Sequence, residues 1–481
     1  MISAHLFFTV IGFLFLETTL KAQVTSIPDA NFEQALIDLG IDSDGELNGS
    51  VATADIEQVI SLDVSNKNIA SLTGIQDFKQ LQVLHCQNNV LTVLNIEENA
   101  ELEVLDCSSN ELSGVSVGSN VKLKSLKCSR NNITGIKVAD NTELETLYID
   151  HNMIMTLNLK SNGKLLALDC SQNQLSVLNV SDNWYLNYLD FSFNNIDLIS
   201  LVNHTNLEYL SVSSNPLTTL NLISQGNLKT MHMVNNDLLP LIYFDSNRKL
   251  EYVSCHDNDI LSTIKVKGAD ALKYLNCSNN NLNELDVSEN PLLENLYCQD
   301  NQLSGLDLSL NSNLAFLKCN DNALEYLNLK NGQNILLTGG DTEYEGEITY
   351  VEGVNAVNNP LLQCIDVDKE ADANTSSAPY DSWLKDATTS YSEDCSSSLG
   401  LDDDLLASGI KLFPNPSSEY LSISSEQQNI VQVTFYSVLG NRIREINSGF
   451  EHIDTKNLSP GIFFVRVRLD KGFVLKRYLK N

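Results

Sequence analysis

A leucine returns at almost fixed intervals through more than half of this chain. It stands at Leu81, Leu102, Leu123, Leu144, Leu165, Leu186, Leu207, Leu228, Leu250, Leu272, Leu293 and Leu314. The step is 21 residues, except for two steps of 22 between Leu228, Leu250 and Leu272. Eight positions after each leucine comes an asparagine: Asn89, Asn110, Asn131, Asn152, Asn173, Asn194, Asn215, Asn236, Asn258, Asn280, Asn301 and Asn322. Asparagine belongs in an interior only when it has a fixed polar task. A unit this short cannot bury its own apolar face, so the period demands stacking of unit on unit.

Each unit also splits into two similar halves. A second asparagine follows the first by ten residues at Asn99, Asn120, Asn141, Asn162, Asn183, Asn290 and Asn311. Both sides of each coil should therefore be extended, with no room for a helix. The order leucine, leucine, cysteine or apolar, asparagine, leucine resembles the leucine-rich repeat over about Leu62 to Leu329. The resemblance implies a right-handed solenoid with a parallel β-sheet on one face. The expected fold is an all-β-rich solenoid of 21-residue units with few helices. A short helical cap should precede it and a small β-sandwich should follow. The ladder asparagines would sit in the turn that leaves each strand and bond its stranded backbone groups.

Eight of the 10 cysteines share one repeat position: Cys86, Cys107, Cys128, Cys170, Cys255, Cys277, Cys298 and Cys319. The same position holds Ile149, Phe191, Val212 and Met233 in the other units. The site asks for an apolar side chain, and buried free cysteine behaves as one. Parallel Cβ vectors about 4.8 Å apart suit a disulfide poorly, and a 21-residue step is not a zinc spacing. A nucleophile would need one singular site beside a base, not eight repeats.

The residues two, four and six places after each leading leucine should face outward. From the middle of the array onward they include Tyr148, Tyr188, Tyr209, Tyr252, Tyr274, Tyr297 and Phe316. These are the expected ligand-binding residues, since exposed aromatics suit protein or sugar contact. The competing reading is that aromatics favour strands and pair across rungs. His85, His232 and His256 also fall outward, but on separate rungs. The abundant acids read as a solvated face. No catalytic motif, phosphate loop, cofactor site or metal site is recognisable, so no enzyme is expected.

Residues 24–60 read as an N-terminal cap. In "IPDANFEQALIDLG", Asp29 should cap a helix that buries Phe32, Leu36 and Leu39 and stops at Gly40. The turn "DSDGELNG", with Asp42, Asp44, Gly45 and Asn48, is faintly like a calcium loop. It lacks the carboxylate pattern and the terminal bidentate Glu of an EF-hand, and a polar turn is the simpler reading. The array proper is placed at 61–340 and a C-terminal cap at 341–395. Cys364 and Cys395, the two cysteines outside the ladder, are expected to form one disulfide. A linker is expected at 396–408.

The last segment, 409–481, alternates apolar residues between Gly and Pro turns, as a small β-sandwich does. It also resembles the type A C-terminal sorting domain of the bacterial type IX secretion system. The matching residues are Phe413, Pro414, Asn415, Pro416, Gly440, Leu458 and Gly461, with the basic end at Lys476 and Lys480. The resemblance implies delivery by that machinery, removal of the domain, and release or attachment at the surface. Residues 1–23 read as a signal peptide, so the mature chain should be exported through the periplasm, without a transmembrane segment.

Charge agrees with two modules. Residues 405–481 hold 10 Lys+Arg and 6 Asp+Glu; the remainder holds 20 and 56, from totals of 30 and 62. A net charge of −32 argues against nucleic acid and anionic membranes as partners. The sequence therefore points to a secreted or surface repeat protein that binds protein or carbohydrate, with adhesion as one such role. Two alternatives stand beside it: an enzyme with its site in 331–395, and a structural coat component.

Overall fold

The structure is a computed structural model that describes residues 23–344, 347–395, 410–425, 429–437, 441–469 and 472–481. The expected signal peptide (but for residue 23), the expected linker at 396–408 and Gly440 lie outside the described residues.

The period becomes one parallel sheet of 15 strands. Its first strand is Ser61–Asp63, and the twelve periodic units supply the next twelve, from Val83–His85 to Phe316–Lys318. The ladder then runs on past 340. Val354–Ala356 and Leu384–Lys385 add two more rungs in the same sheet, so residues 341–395 extend the solenoid as well as closing it. Strands pair in register along the array, with Leu105 opposite Leu84 and Leu126.

Each strand but the last is three residues long. Its central side chain is buried and its outer two are half exposed in most rungs. A turn follows at once, because the residue before each ladder asparagine takes a left-handed conformation. Ser109 has φ +54° and Phe193 has φ +53°. The return side of the twelve periodic coils is extended and contains no α-helix, whereas the last coil carries one short helix, Glu370–Asn374. It forms hydrogen-bonded strands only in later rungs, at Leu241–Tyr243 with Thr263–Lys265, and from Gly305–Asp307 to Ser390–Ser392.

The interior is a continuous apolar column from Ile27 to Tyr391. All eight ladder cysteines are buried and free. Burial pushes the Cys277 and Cys319 thiols up to about 12, which leaves them protonated and unreactive at neutral pH. Cys364 and Cys395 are joined by a disulfide in the last rungs.

The N-terminal cap contains the helix Ala30–Asp38, whose Asn31 and Phe32 amides bond Asp29 Oδ1. The other Asp29 oxygen accepts from Ala70 and Ser71 N at 2.8 Å, tying the cap to the array. Phe32, Ala35 and Leu36 are buried, but Leu39 is 50% exposed, because the helix ends one residue before it. Gly40 makes the turn at φ +67°. The C-terminal segment has two antiparallel sheets, of three and four strands, over a separate core containing Leu421, Phe435, Val465 and Tyr478.

Candidate functional site

The asparagine column has a structural task in every unit, so it does not offer itself to a ligand. Asn110 Nδ2 donates to Cys107 O in its own rung and to Cys86 O in the rung before, both at 3.0 Å. Its Oδ1 accepts from Leu91 N at 3.0 Å. Asn131 and Asn152 repeat the pattern. The extra residue in the two longer units changes the geometry. There Asn258 Oδ1 accepts from Asn236 N at 2.6 Å, and Asn280 Oδ1 accepts from Asn258 N at 3.0 Å.

The sheet face is different, because its residues vary from rung to rung. Six of the seven expected aromatics join one row. Tyr148 lies 6.2 Å from Tyr188, and Tyr188 stacks on Tyr209 at 4.4 Å. His232 fills the next place, 5.5 Å from Tyr209 and 5.2 Å from Tyr252. Tyr252 stacks on Tyr274 at 4.3 Å, and Tyr297 follows at 5.5 Å. A lysine lies over each end ring: Lys127 Nζ is 5.4 Å from Tyr148 and Lys318 Nζ is 6.0 Å from Tyr297. Phe316 stands opposite Asn295, away from this sequence of contacts. His232 belongs to the row although sequence position alone set it apart. Its signal was an outward place between two tyrosine rungs.

Stacking across rungs has a chemical consequence. In the two stacked pairs, Tyr188 with Tyr209 and Tyr252 with Tyr274, the rings cover one another's faces and present edges and hydroxyl groups. Burial raises the pKa of Tyr188 and takes that of Tyr209 to about 12, so both remain neutral donors at physiological pH.

Beside Tyr148 and Tyr188 the face turns acidic. Asp150 lies at the end of one rung; Asp169 and Asp190 are direct strand partners on the next two. These are not solvated surface acids. Burial first, then the charges of Asp190 and Asp150, raises Asp169 to about 6, against the bonds from Ser171 N (3.0 Å) and Oγ (2.7 Å). Burial likewise raises Asp190, which Ser192 bonds through N at 2.9 Å and Oγ at 2.6 Å. Asp150 is bonded by Ser129 Oγ and by His151 Nδ1 at 2.8 Å.

The sheet's margin changes at the same rungs. Elsewhere lysine and glutamate pair between successive coils: Lys122 with Glu101, Lys124 with Glu103, Lys164 with Glu143, Lys229 with Glu208, Lys273 with Glu251. Between the third and fourth of these pairs the margin carries Leu166, Trp184 and Tyr185, exposed by 39%, 55% and 59%. An apolar margin, stacked tyrosines and a desolvated acid pair thus meet on neighbouring rungs.

In the C-terminal segment, Asn415 clamps the last strand. Its Nδ2 donates to Arg477 O at 2.7 Å, and its Oδ1 accepts from Leu479 N at 2.8 Å. Pro414 and Pro416 flank it, and Leu458 packs against the sandwich core. Gly461 opens the strand that pairs with the final one, which carries Lys476 and Lys480. Among the described residues no helix is long and apolar enough to cross a membrane.

Residues 411–481 match the family model described as a secretion system C-terminal sorting domain. No curated protein matches the chain. Several solved structures are similar. An internalin, inlF, from Listeria monocytogenes str. 4b F2365 shares 22% identity at a TM-score of 0.57, over 63% of this chain and 94% of that one. The leucine-rich repeat domain of APL1 shares 26% identity at a TM-score of 0.50, over 56% and 76%. The plant peptide hormone receptor RGFR1, solved in complex with RGF2, shares 18% identity at a TM-score of 0.52, over 66% and 56%. The array has the leucine-rich repeat fold, with turns of ~21 residues.

Proposed function

For a chain that joins a leucine-rich repeat solenoid to a type IX secretion sorting domain, we propose an exported, non-enzymatic protein-binding role. Its ligand lies across the aromatic row of the sheet, and its sorting domain delivers it to the secretion machinery. The single observation that carries this reading is the meeting of Leu166, Trp184, Tyr185, Tyr188 and Tyr209 with Asp169 and Asp190 on neighbouring rungs.

Protein is favoured over carbohydrate because the rings offer edges and hydroxyls, whereas a sugar ring stacks on an open aromatic face. A basic side chain is favoured within that protein. Two desolvated carboxylates one strand apart repel each other, and a lysine or arginine laid between them relieves both. The bound peptide in the RGFR1 complex gives a parallel at the level of fold.

The test uses peptide and glycan arrays probed with the full mature chain. The wild type should retain peptides that carry Arg or Lys. Tyr209→Ala with Tyr252→Ala and Tyr274→Ala should weaken that retention by about tenfold or more, as loss of aromatic anchors does. Equal retention by the two proteins would overturn the reading, and retention of glycans alone would replace protein by sugar.

A further inference from the structure

The N-terminal cap is the most one-sided charged region of the chain. Between Lys21 and Lys67 there are nine Asp or Glu residues and no Lys or Arg. Lys67 itself pairs with Asp38, away from the acids of the 42–55 loop. Within that loop Asp42 is only 4% exposed, and neither of its carboxylate oxygens has a hydrogen-bond partner of normal geometry. The acids Asp44, Glu33 and Asp55 lie close enough to act on its charge. A buried anion that faces other anions is costly unless a cation joins them.

The backbone shows where that cation belongs. Gly49 has φ +83° and directly precedes the strand Ser50–Ala52, and the short helix Thr53–Ile56 begins straight after the strand. Counted from Asp44, oxygen-bearing side chains stand at places one, three and five (Asp44, Glu46, Asn48). The left-handed glycine is at place six, a backbone carbonyl of the strand at seven (Ser50), and a carboxylate at twelve (Asp55). This is the order of a twelve-residue calcium loop. Counting from Asp42 hides it, because Gly45 then stands where no glycine is wanted, at place four instead of six.

The loop already holds this curve. Asp44 Oδ1 accepts from Glu46 N at 2.8 Å, Asn48 Oδ1 accepts from Ser50 N at 3.0 Å, and Asp55 Oδ2 accepts from Ser43 N at 3.2 Å. Glu33 supports it from the helix and is not free to ligate. Its Oε1 accepts from the amides of Asn48, Gly49 and Ser50 at 2.8, 2.7 and 3.1 Å. Among the described residues no three His, Cys, Asp or Glu side chains form a metal-holding group by themselves. The set here is mixed, with an amide and a backbone carbonyl beside the carboxylates, as calcium accepts.

We propose that residues 44–55, together with Asp42, form a calcium site that fastens the N-terminal cap. The aspartate at place twelve reaches less far than the usual glutamate, and Asp42 supplies the oxygen it lacks. Calcium fits better than magnesium, since the ligands are many, irregular and all oxygen. The departures at places three and twelve put the affinity in the weak range of exported modules, with Kd about 10⁻⁴–10⁻³ M.

The experiment titrates the full mature chain with CaCl2 or MgCl2 by calorimetry and follows amide exchange over residues 42–58. CaCl2 should bind in that range and slow exchange in the loop about tenfold at 10 mM. Asp44→Asn with Asp55→Asn should abolish both effects, and Glu57→Gln should leave both unchanged. If the double variant loosens the cap, Asp42→Asn decides. It removes a buried charge, keeps the fold, and should weaken calcium binding at least about threefold. The proposal is overturned by unchanged exchange at 10 mM CaCl2, by equal effects of MgCl2, or by variants that bind as the wild type does, which would mean adsorption to a generally acidic surface.

Discussion

A buried and a half-buried set of polar side chains lie within a few residues of each other on the same rungs, and they behave oppositely. The first is the column from Asn89 to Asn322. Its regular members use both amide hydrogens and the carbonyl oxygen on backbone groups. The second is the pair Asp169 and Asp190, neighbours on the sheet face with like charges and substantial burial. The column satisfies groups that the fold itself strands, so each member strengthens the array. The acid pair works against the array, since burial favours its neutral form. A folding role accounts for the column and not for the pair, and the proposed ligand-binding face rests on this contrast.

The largest effect should come from breaking the column. Asn110→Ala strands Leu91 N and removes the side-chain donors to Cys86 O and Cys107 O in the apolar interior. Cys86 O keeps the bond from Asn89 and Cys107 O the bond from Asn131, so the expected loss of about 3 kcal/mol comes from one stranded amide and two lost side-chain bonds. Denaturant melts measure it. A loss below about 1 kcal/mol would remove the distinction, because the column would then be no more demanding than an ordinary surface hydrogen bond.

The opposite sign is expected on the face. Asp169 has its folded pKa raised to about 6 from an unfolded value near 3.8. A raised acid destabilises the fold wherever it must ionise, so the penalty is full above pH 6 and is relieved as pH falls towards 4. Asp169→Asn should therefore stabilise the chain by about 2 kcal/mol at pH 7. The gain should shrink to a few tenths of a kcal/mol near pH 4 and vanish below about pH 3, where the wild-type carboxyl is protonated in both states. Melts of the two proteins at pH 4, 6 and 7.5 check this, and a gain that is flat across pH would mean that charge is not its cause.

Much of the interior was legible because repetition checks itself. Twelve asparagines at one offset, and Ile149, Phe191, Val212 and Met233 in place of cysteine, identify interior positions without coordinates. The face was half legible. Its aromatics stand at outward places, yet the burial of Asp169 and Asp190 depends on neighbours one and two rungs away, which a linear count of acids treats as solvated. His232 was missed for the same reason. The cap was the least legible, because it does not repeat. The proposed calcium frame starts at Asp44 instead of Asp42, and it rests on the turn at Gly49 and the strand after it.

A third set of side chains sharpens the comparison with the smallest effect. The second asparagine column, on the return side of the coil, is fully buried but only half satisfied. Asn120 Nδ2 donates to Ile96 O at 3.0 Å and Asn99 O at 2.8 Å, while its Oδ1 has no partner. Both carbonyls keep a backbone donor without it: Asn99 N bonds Ile96 O, and Leu102 N bonds Asn99 O, each at 3.1 Å. Asn120→Ala thus removes two bonds and one unpaired oxygen and strands nothing, which sets the expected loss at about 1 kcal/mol. Substitution within the chain follows the same logic. The first column has no exception in twelve units, whereas the second admits His204, Gln225 and Ala269 at its places. If Asn120→Ala costs as much as Asn110→Ala in the same melts, the number of stranded backbone groups is not what fixes an asparagine in this array. The case for reading the frustrated acids of the face as functional would weaken with it.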